Sequence, residues 1–486
     1  MEGSVKKRIR LGRSGVRTDD LFIGGSWQSA SDSGRHLVRT AAFSEPIYSV
    51  PEATPDEIDS AVAAAVTASA KWATTPSGER AAAILRIKDA TLGRLEEIAH
   101  AWANEAGMPV ESARAATAAL PIAAMDSYAR IAVEFETEQA LGNSRLLYQP
   151  AGVAVGITPW NYPFSQVAIK AVTAIAAGCP IIIKPATLAP GCAYLFAEIV
   201  EEAGLPAGVF NLVTGSGSRV GEALVSHEGT HVVSFTGSTE TGARIIRAAA
   251  DGIKRCTLEL GGKSPLILLP DAPIEDAIAS GMGSCFRNNG QTCTALTRFL
   301  VPRADMDRAA ELAAAFAEAS VLGDPLDPAT TMGPMVSAEQ WQSVQGFIRA
   351  GIDEGAILVT GGLDHPEGLE GGNFVRPTVF SGVGAGSTIA RQEIFGPVLA
   401  IVPYDAVDEA VLLANDSEYG LAGAVWGPDP VAAAEVGRRM SAGIISVNGG
   451  AFNAEAPYGG LRRSGLGHEL GEFGYREYLD VKVLNA

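Results

Sequence analysis

The chain has 486 residues, enough at roughly 100–200 per domain for two to four units with substantial cores. Hydrophobic residues make up 47% and charged residues 19%, which excludes chain-wide disorder. The net charge of −18 excludes a general nucleic-acid surface; the exception is a basic arm (Lys6, Lys7, Arg8, Arg10, Arg13, Arg17), ordinarily a solvated tail.

Leu21–Ser29 reads as a short strand with a turn at Gly24-Gly25. Thr54-Pro-Asp-Glu57 starts a helix, with a capping Thr, Pro in the first turn and acids beside the helix dipole. Further helical stretches cover about 78–105 and 111–130. From 145, apolar runs of strand length alternate with helices. The strands are Val153–Thr158, Ile181–Lys184, Val209–Val213 and Val232–Phe235; the helices begin at Phe164 and cover 190–203, 219–226 and 239–250. This alternation predicts a parallel sheet covered on both faces, with ligands at the carboxyl ends of its strands.

A second α/β region follows. Its strands are Pro265–Leu269, Phe299–Val301, Ala356–Thr360, Val398–Pro403 and Gly443–Val447. Its helices fit 272–288, 304–319, 337–354, 406–415 and 430–440, and the tail Tyr478–Leu484 alternates like an edge strand available to another subunit. The longest apolar stretch, near Val172–Ile183, is too short to span a membrane and is broken by Gly178 and Pro180. No apolar core follows the basic N-terminus, so no secretory signal is expected. Five cysteines without zinc spacing suggest reduced thiols and a cytoplasmic location, and the six histidines form no metal-ligand pair.

Three strand ends suit a nucleotide. Gly215-Ser-Gly-Ser-Arg-Val-Gly221 follows a strand and opens a helix, but its GxGxxxG spacing is equally that of an ordinary turn. Phe235-Thr-Gly-Ser-Thr239 places Gly237 and Ser238 where a helix N-terminus offers free N–H groups. Lys184-Pro185 ends the third run. Among the cysteines, Cys293 has a polar neighbourhood, Asn288-Asn-Gly-Gln-Thr-Cys-Thr294, whereas the others read as small core residues. Glu259 ends a strand, and the glycines after it allow close approach of another group.

Together these pieces resemble an aldehyde dehydrogenase, from Leu21 to the tail. Seven ordered motifs carry the likeness: Thr158-Pro-Trp-Asn-Tyr-Pro163, Lys184-Pro, Phe235-Thr-Gly-Ser, Glu259-Leu-Gly-Gly-Lys263, Gly290-Gln-Thr-Cys293, Glu393-Ile-Phe-Gly-Pro397 and Pro457-Tyr-Gly-Gly460. The resemblance implies an α/β protein with a Rossmann-like cofactor domain (1–130 and 149–258), an α/β catalytic domain (259–460) and a small β oligomerisation hairpin (131–148 and 470–486). A homodimer or homotetramer is expected.

The resemblance also implies roles. Cys293 attacks the aldehyde, with the Asn161 amide and the Cys293 N–H as oxyanion donors. Glu259 activates water to hydrolyse the thioester, and Lys170 and Glu469 relay its proton or form a plain structural pair. The presence of Glu259 favours water over coenzyme A as acyl acceptor. Thr158, Pro159, Trp160, Lys184, Thr187, Gly217 and Gly221 would bind the cofactor. So would Phe235, Gly237, Ser238 and Gly261, with Glu393 on the nicotinamide ribose and Phe395 packed at that end. Tyr162, Gln166, Ile169, Arg287, Thr292, Thr294 and Phe452 would line the aldehyde tunnel. Arg287 matches one half of an anion clamp or caps local backbone; Ile169 stands where the other arginine would be.

One departure concerns the cofactor. The NAD-preferring pattern has a glutamate three residues after Lys184, where this chain has Thr187. A threonine does not repel a 2′-phosphate, and Arg219 in the adjacent loop adds charge or faces solvent. NAD or NADP is expected, with no metal.

Overall fold

The structure, a computed structural model, describes residues 17–31 and 34–485. Most of the basic arm (Lys6, Lys7, Arg8, Arg10 and Arg13) lies outside the described residues. Arg17 stacks its guanidinium over Trp27, 5.7 Å from the ring centroid.

Five parallel strands form the first sheet's centre, in the order Arg255–Glu259, Val232–Thr236, Ala154–Ile157, Ile181–Lys184, Phe210–Leu212. All but the first were expected as continuous apolar runs, and the buried residues on both faces explain that texture. The chain order reverses beside Ala154–Ile157, so a crevice opens at the carboxyl ends of that strand and Val232–Thr236. Leu21–Ser29 is a hairpin rather than one strand. Gly24 and Gly25 have φ of +61° and +81°, which the tight turn between Asp20–Ile23 and Ser26–Ser29 requires.

The second sheet has seven strands, in the order Ile357–Thr360, Thr378–Ser381, Val398–Tyr404, Leu296–Pro302, Ser264–Leu268, Ala422–Trp426, Ile444–Val447. Only the Ile357–Thr360 edge runs antiparallel. Thr378–Ser381 and Ala422–Trp426 escaped the sequence reading. The second is Ala-Gly-Ala-Val-Trp, poor in β-branched residues, and is a strand because it pairs on both sides.

Thr54 caps helix Pro55–Trp72 as expected, and reciprocal bonds with Glu57 complete a capping box. The stretch 78–105 is two helices, Ser77–Leu92 and Leu95–Ala106, broken at Gly93-Arg94. The stretch 219–226 begins with a wide turn over Gly217–Gly221 before helix Glu222–Ser226. Helix 272–288 stops at Cys285; Asn288, Asn289 and Gly290 then take positive φ values of 51°, 59° and 75°. Left-handed backbone ends a helix, and Asn tolerates it better than most residues.

The tail strand Leu479–Asn485 pairs antiparallel with Ser144–Pro150 of its own chain, which also pairs with Glu138–Leu141. Beyond Leu479 this strand is exposed on both faces. Among the described residues, no helix is long and apolar enough to cross a membrane.

Candidate active site

The chain passes between the sheets through Leu260–Lys263, and this junction assembles the site. A side chain at Gly262 would stand 2.6 Å from the Cys293 carbonyl oxygen, and one at Gly261 2.2 Å from Glu393 Oε2. Glycine alone allows both approaches. Glu259, at the end of its strand, therefore comes close enough to Cys293 for its charge to act on the thiol.

Cys293 is held by the left-handed turn before it. Asn289 Nδ2 donates to the carbonyls of Gly107 and Pro334 at 2.8 and 3.0 Å, and its Oδ1 accepts from Gly333 N–H at 2.6 Å. Gln291 accepts from Val336 N–H at 2.9 Å. Asn288 donates to the Asn161 carbonyl at 2.9 Å, which also receives Trp102 Nε1 at 3.1 Å. Asn161 returns the contact, its amide donating to the Gln291 carbonyl at 3.0 Å. One amide hydrogen of Asn161 thus stays available, as does the Cys293 backbone N–H. Cys293 is half-buried, and burial pushes its thiol up to about 12; Tyr458, whose hydroxyl lies 3.5 Å from Sγ, opposes the shift.

Glu259 is 2% exposed, and neither carboxylate oxygen has a hydrogen-bond partner among the described residues. Burial drives its pKa well above the usual carboxylate range. Nearby Glu469 adds to the shift and Lys170 opposes it. Lys170 ion-pairs with Glu469 and donates to Ser234 Oγ at 3.0 Å and Thr236 Oγ1 at 2.8 Å. Tyr458 N–H donates to the Glu469 carbonyl and Glu469 N–H to the Tyr458 carbonyl, both at 2.7 Å. Lys170 and Glu469 are thus one buried unit behind Glu259.

The expected cofactor residues gather along the strand ends. Thr158 Oγ1 is buried without a partner among the described residues, an orphaned polar atom that fits a ligand hydroxyl or amide. Pro159 is half-buried beside it, and Trp160 meets Phe395 edge-on, ring centroids 5.4 Å apart. Phe395 sits at φ +56°. Glu393 accepts from Gly262 N–H at 3.1 Å, and burial raises its carboxyl to about 7. Lys184 is buried and donates to the Pro185 carbonyl at 2.9 Å. Burial lowers its pKa to about 8, against the pull of Glu52. Thr187 is half-buried. Gly221 lies against the Lys184 stem, and a side chain at Gly217 would meet open space.

Two expectations need correction. The Gly237 N–H is not free: it donates to the Glu259 carbonyl at 3.0 Å, because the chain must pair with the neighbouring strand before the helix begins. Phe235 is a core residue, 4% exposed, its ring lying against Gly237. Ser238 caps helix Thr239–Ala250 through the Thr241 N–H.

Sequence reading missed Glu52 and Tyr458. Glu52 accepts from Ser216 N–H at 2.9 Å and Ser216 Oγ at 2.7 Å, pairs with His36, and lies 3.5 Å from Arg219 Nε. It tethers the Gly-rich loop from more than 160 residues away, without a local signal. Tyr458 stood inside a quoted motif, but its hydroxyl finds Cys293 only in three dimensions.

Of the expected tunnel residues, Tyr162 and Thr292 bond through their hydroxyls at 3.0 Å. Thr292 spends its proton on the Arg287 carbonyl, so Tyr162 donates. Gln166 accepts from Thr236 at 3.0 Å, Ile169 is buried, and Thr294 is half-buried beside Cys293. Phe452 is 56% exposed and packs on Tyr458, ring centroids 6.2 Å apart. The Arg287 side chain is exposed and caps no backbone, though its charge reaches Tyr162.

Residues 27–484 match the model of the aldehyde dehydrogenase family. A 3-succinoylsemialdehyde-pyridine dehydrogenase from a Pseudomonas species is 41% identical, covering 96% of this chain and 98% of that protein. A variant of aldehyde dehydrogenase C from Pseudomonas syringae, solved with NAD+ and octanal, is 42% identical, with TM-score 0.93 and 96% of each chain covered. An Escherichia coli NADP-dependent enzyme is 33% identical, with TM-score 0.93, covering 97% of this chain and 98% of the other. The chain belongs to the aldehyde dehydrogenase family and is an NAD(P)-dependent oxidoreductase that converts an aldehyde to a carboxylic acid.

Proposed function

We propose that Cys293 is the nucleophile and Glu259 the hydrolytic base of this oxidation. The supporting observation is their meeting at the glycine junction, where a partner-free buried carboxylate acts electrostatically on a thiol. The Cys293 sulfur bonds the aldehyde carbon and loses its proton, and the carbonyl oxygen becomes an oxyanion. The second Asn161 amide hydrogen and the Cys293 N–H are the donors for that charge. NAD or NADP, when bound, supplies the hydride acceptor. Thr158, Lys184, Thr187 and Glu393 are the polar groups available to hold it, and the orphaned Thr158 hydroxyl fits that role.

Hydride loss leaves a thioester on Cys293. Glu259 takes a proton from water, the water oxygen bonds the acyl carbon, and the carbon–sulfur bond breaks to release the acid. Its raised pKa makes Glu259 a stronger base once ionised. Lys170 and Glu469 lie behind it for passing the proton outward.

The substrate proposed is an unbranched aldehyde with an apolar or aromatic body. Tyr162, Ile169, Phe452 and Tyr458 are large and mostly apolar, and the relatives named with octanal and a pyridine semialdehyde agree. Arg287 adds a distal cation. Octanal and succinic semialdehyde are to be compared by absorbance at 340 nm on the unsubstituted protein and Arg287→Ala. Arg287→Ala should raise KM for the semialdehyde alone; an equal change for both removes the distal-anion role.

Cys293→Ala should abolish dehydrogenase turnover and retain cofactor binding by fluorescence titration; retention of more than a few per cent of turnover overturns the assignment. The proposed parts are those of the resemblance: 1–130 with 149–258 for cofactor, 259–460 for catalysis, 131–148 with 470–486 for assembly. A cytoplasmic setting suits the five free cysteines.

A further inference from the structure

The Tyr458 ring has a place in the scheme above only as part of the substrate lining, yet its phenol oxygen stands 3.5 Å from Cys293 Sγ and makes no other hydrogen bond among the described residues. The ring is half-buried and held from several sides. The two backbone bonds with Glu469 fix the main chain, and Phe452 packs edge-on against the ring. The following Gly459 closes against Gly467 and His468. The hydroxyl is therefore placed by the fold rather than by a free rotor.

The chemistry of the pair is asymmetric. A phenol is a good hydrogen-bond donor and a thiol a weak one; a thiolate only accepts. As Cys293 ionises, the contact must become O–H···S⁻, and charge assistance strengthens it. The other ionisable groups facing the sulfur are acids: Tyr162, a weak one that the sulfur's charge reaches, and two carboxyls. Glu259 reaches it from its strand end and Glu393 from the segment before Val398–Tyr404, and both disfavour a second negative charge. Burial first, then the sulfur, Glu259 and Glu469, make the phenol itself harder to ionise, so Tyr458 keeps its proton. With the Thr294 N–H, the Tyr458 hydroxyl is a donor aimed at the sulfur.

We infer that the Tyr458 hydroxyl donates to the Cys293 thiolate and stabilises it against reprotonation before the aldehyde binds. This rests on Cys293 being the nucleophile. The phenol neither gains nor loses a proton: the thiol proton leaves for a base, and the sulfur keeps its electron pair and accepts the phenolic hydrogen. When the sulfur–carbon bond forms, the charge passes to the carbonyl oxygen and the contact weakens. The same bond thus enlarges the thiolate fraction and makes each thiolate a weaker nucleophile.

These opposed effects give a signature that a packing role does not. Full-length, cofactor-free protein is treated with iodoacetamide between pH 6 and 11, and alkylation of the Cys293 peptide is followed by mass spectrometry. Burial puts the thiol at about 12, so rates are compared at fixed pH below the midpoint, where loss of the donor should lower the thiolate fraction about 10–100-fold in Tyr458→Phe. With thiolate reactivity rising about half as steeply as its pKa, alkylation should slow about 3–15-fold across this range. A second variant carrying 3-fluorotyrosine at 458, a stronger donor of the same shape, should alkylate faster than the unsubstituted protein.

Slowing in both variants, or a rate unchanged in both, overturns the inference and leaves the nucleophile assignment standing. Dehydrogenase turnover surviving in Cys293→Ala would instead overturn the assignment, while opposite rate changes in the two Tyr458 variants would still establish the contact.

Discussion

Glu259 is the residue whose chemistry can be separated most cleanly in time. Hydride transfer precedes hydrolysis, so Glu259→Gln should still give a burst of reduced cofactor in a stopped-flow trace. Steady turnover should then fall about 10²–10⁴-fold. An unchanged steady state would mean another base activates the water; a lost burst would mean Glu259 is needed earlier, to deprotonate Cys293. Cofactor choice is also decided at single residues. Thr187→Glu should shift kcat/KM towards NAD by about 10–150-fold, mainly through KM, because a carboxylate there opposes a 2′-phosphate. Arg219 adds less to NADP binding than its charge suggests, because Glu52 already faces it. Lys184 supplies a pH test. Burial puts its pKa at about 8, so the cation is present below that pH and lost above it. The ratio of KM for NADP to KM for NAD should therefore rise between pH 7 and 9. A flat ratio would remove Lys184 from 2′-phosphate binding.

At the scale of elements, the turn Asn288–Gly290 connects stability to catalysis. Three backbone groups from two distant segments end on the Asn289 side chain. Asn289→Ala would leave them buried without partners and keep an unfavourable φ of 59°. The expected loss is about 2–4 kcal/mol of stability, read as a lowered chemical-denaturation midpoint, with slower Cys293 alkylation in the variant that still folds. The turn also shows why the helix over 272–288 runs short of its expected end. Periodicity continues to Asn288, but the asparagines are spent on long-range partners that only a left-handed path can reach. The same contrast holds for Ala422–Trp426, whose composition is not that of a strand and whose two paired neighbours make it one.

Across the whole molecule, the outer edge of Leu479–Asn485 is the feature that asks for a partner. Val481, Val483 and Leu484 are 55%, 51% and 49% exposed on a strand paired on one side only. Such an edge templates another chain unless charge or cover prevents it. Val481→Glu with Val483→Glu should lower the mass seen in size-exclusion chromatography with light scattering, with the two large sheets unaffected by circular dichroism. An unchanged mass would place the subunit contact elsewhere.

What the sequence determined by itself follows from local physics. Apolar runs of strand length between amphipathic helices could only be a doubly covered parallel sheet, and Thr54 with Glu57 could only start a helix. The polar, glycine-containing setting of Cys293 distinguished it from four thiols in apolar settings. What only the tertiary structure decided are the contacts made across long stretches of chain. Glu52 tethers the Gly-rich loop, Gly261 and Gly262 let Glu393 and Cys293 close in, Gly237 spends its N–H on Glu259, and Tyr458 reaches the thiol. None has a periodic or spacing signature, because the partners are about 20 to more than 160 residues apart, and those of Gly261 and Gly262 meet only where the two sheets join at Leu260–Lys263. Local propensity selects the elements; burial against distant partners selects which polar atoms are satisfied and which, like the Glu259 and Thr158 side-chain oxygens, have no partner among the described residues.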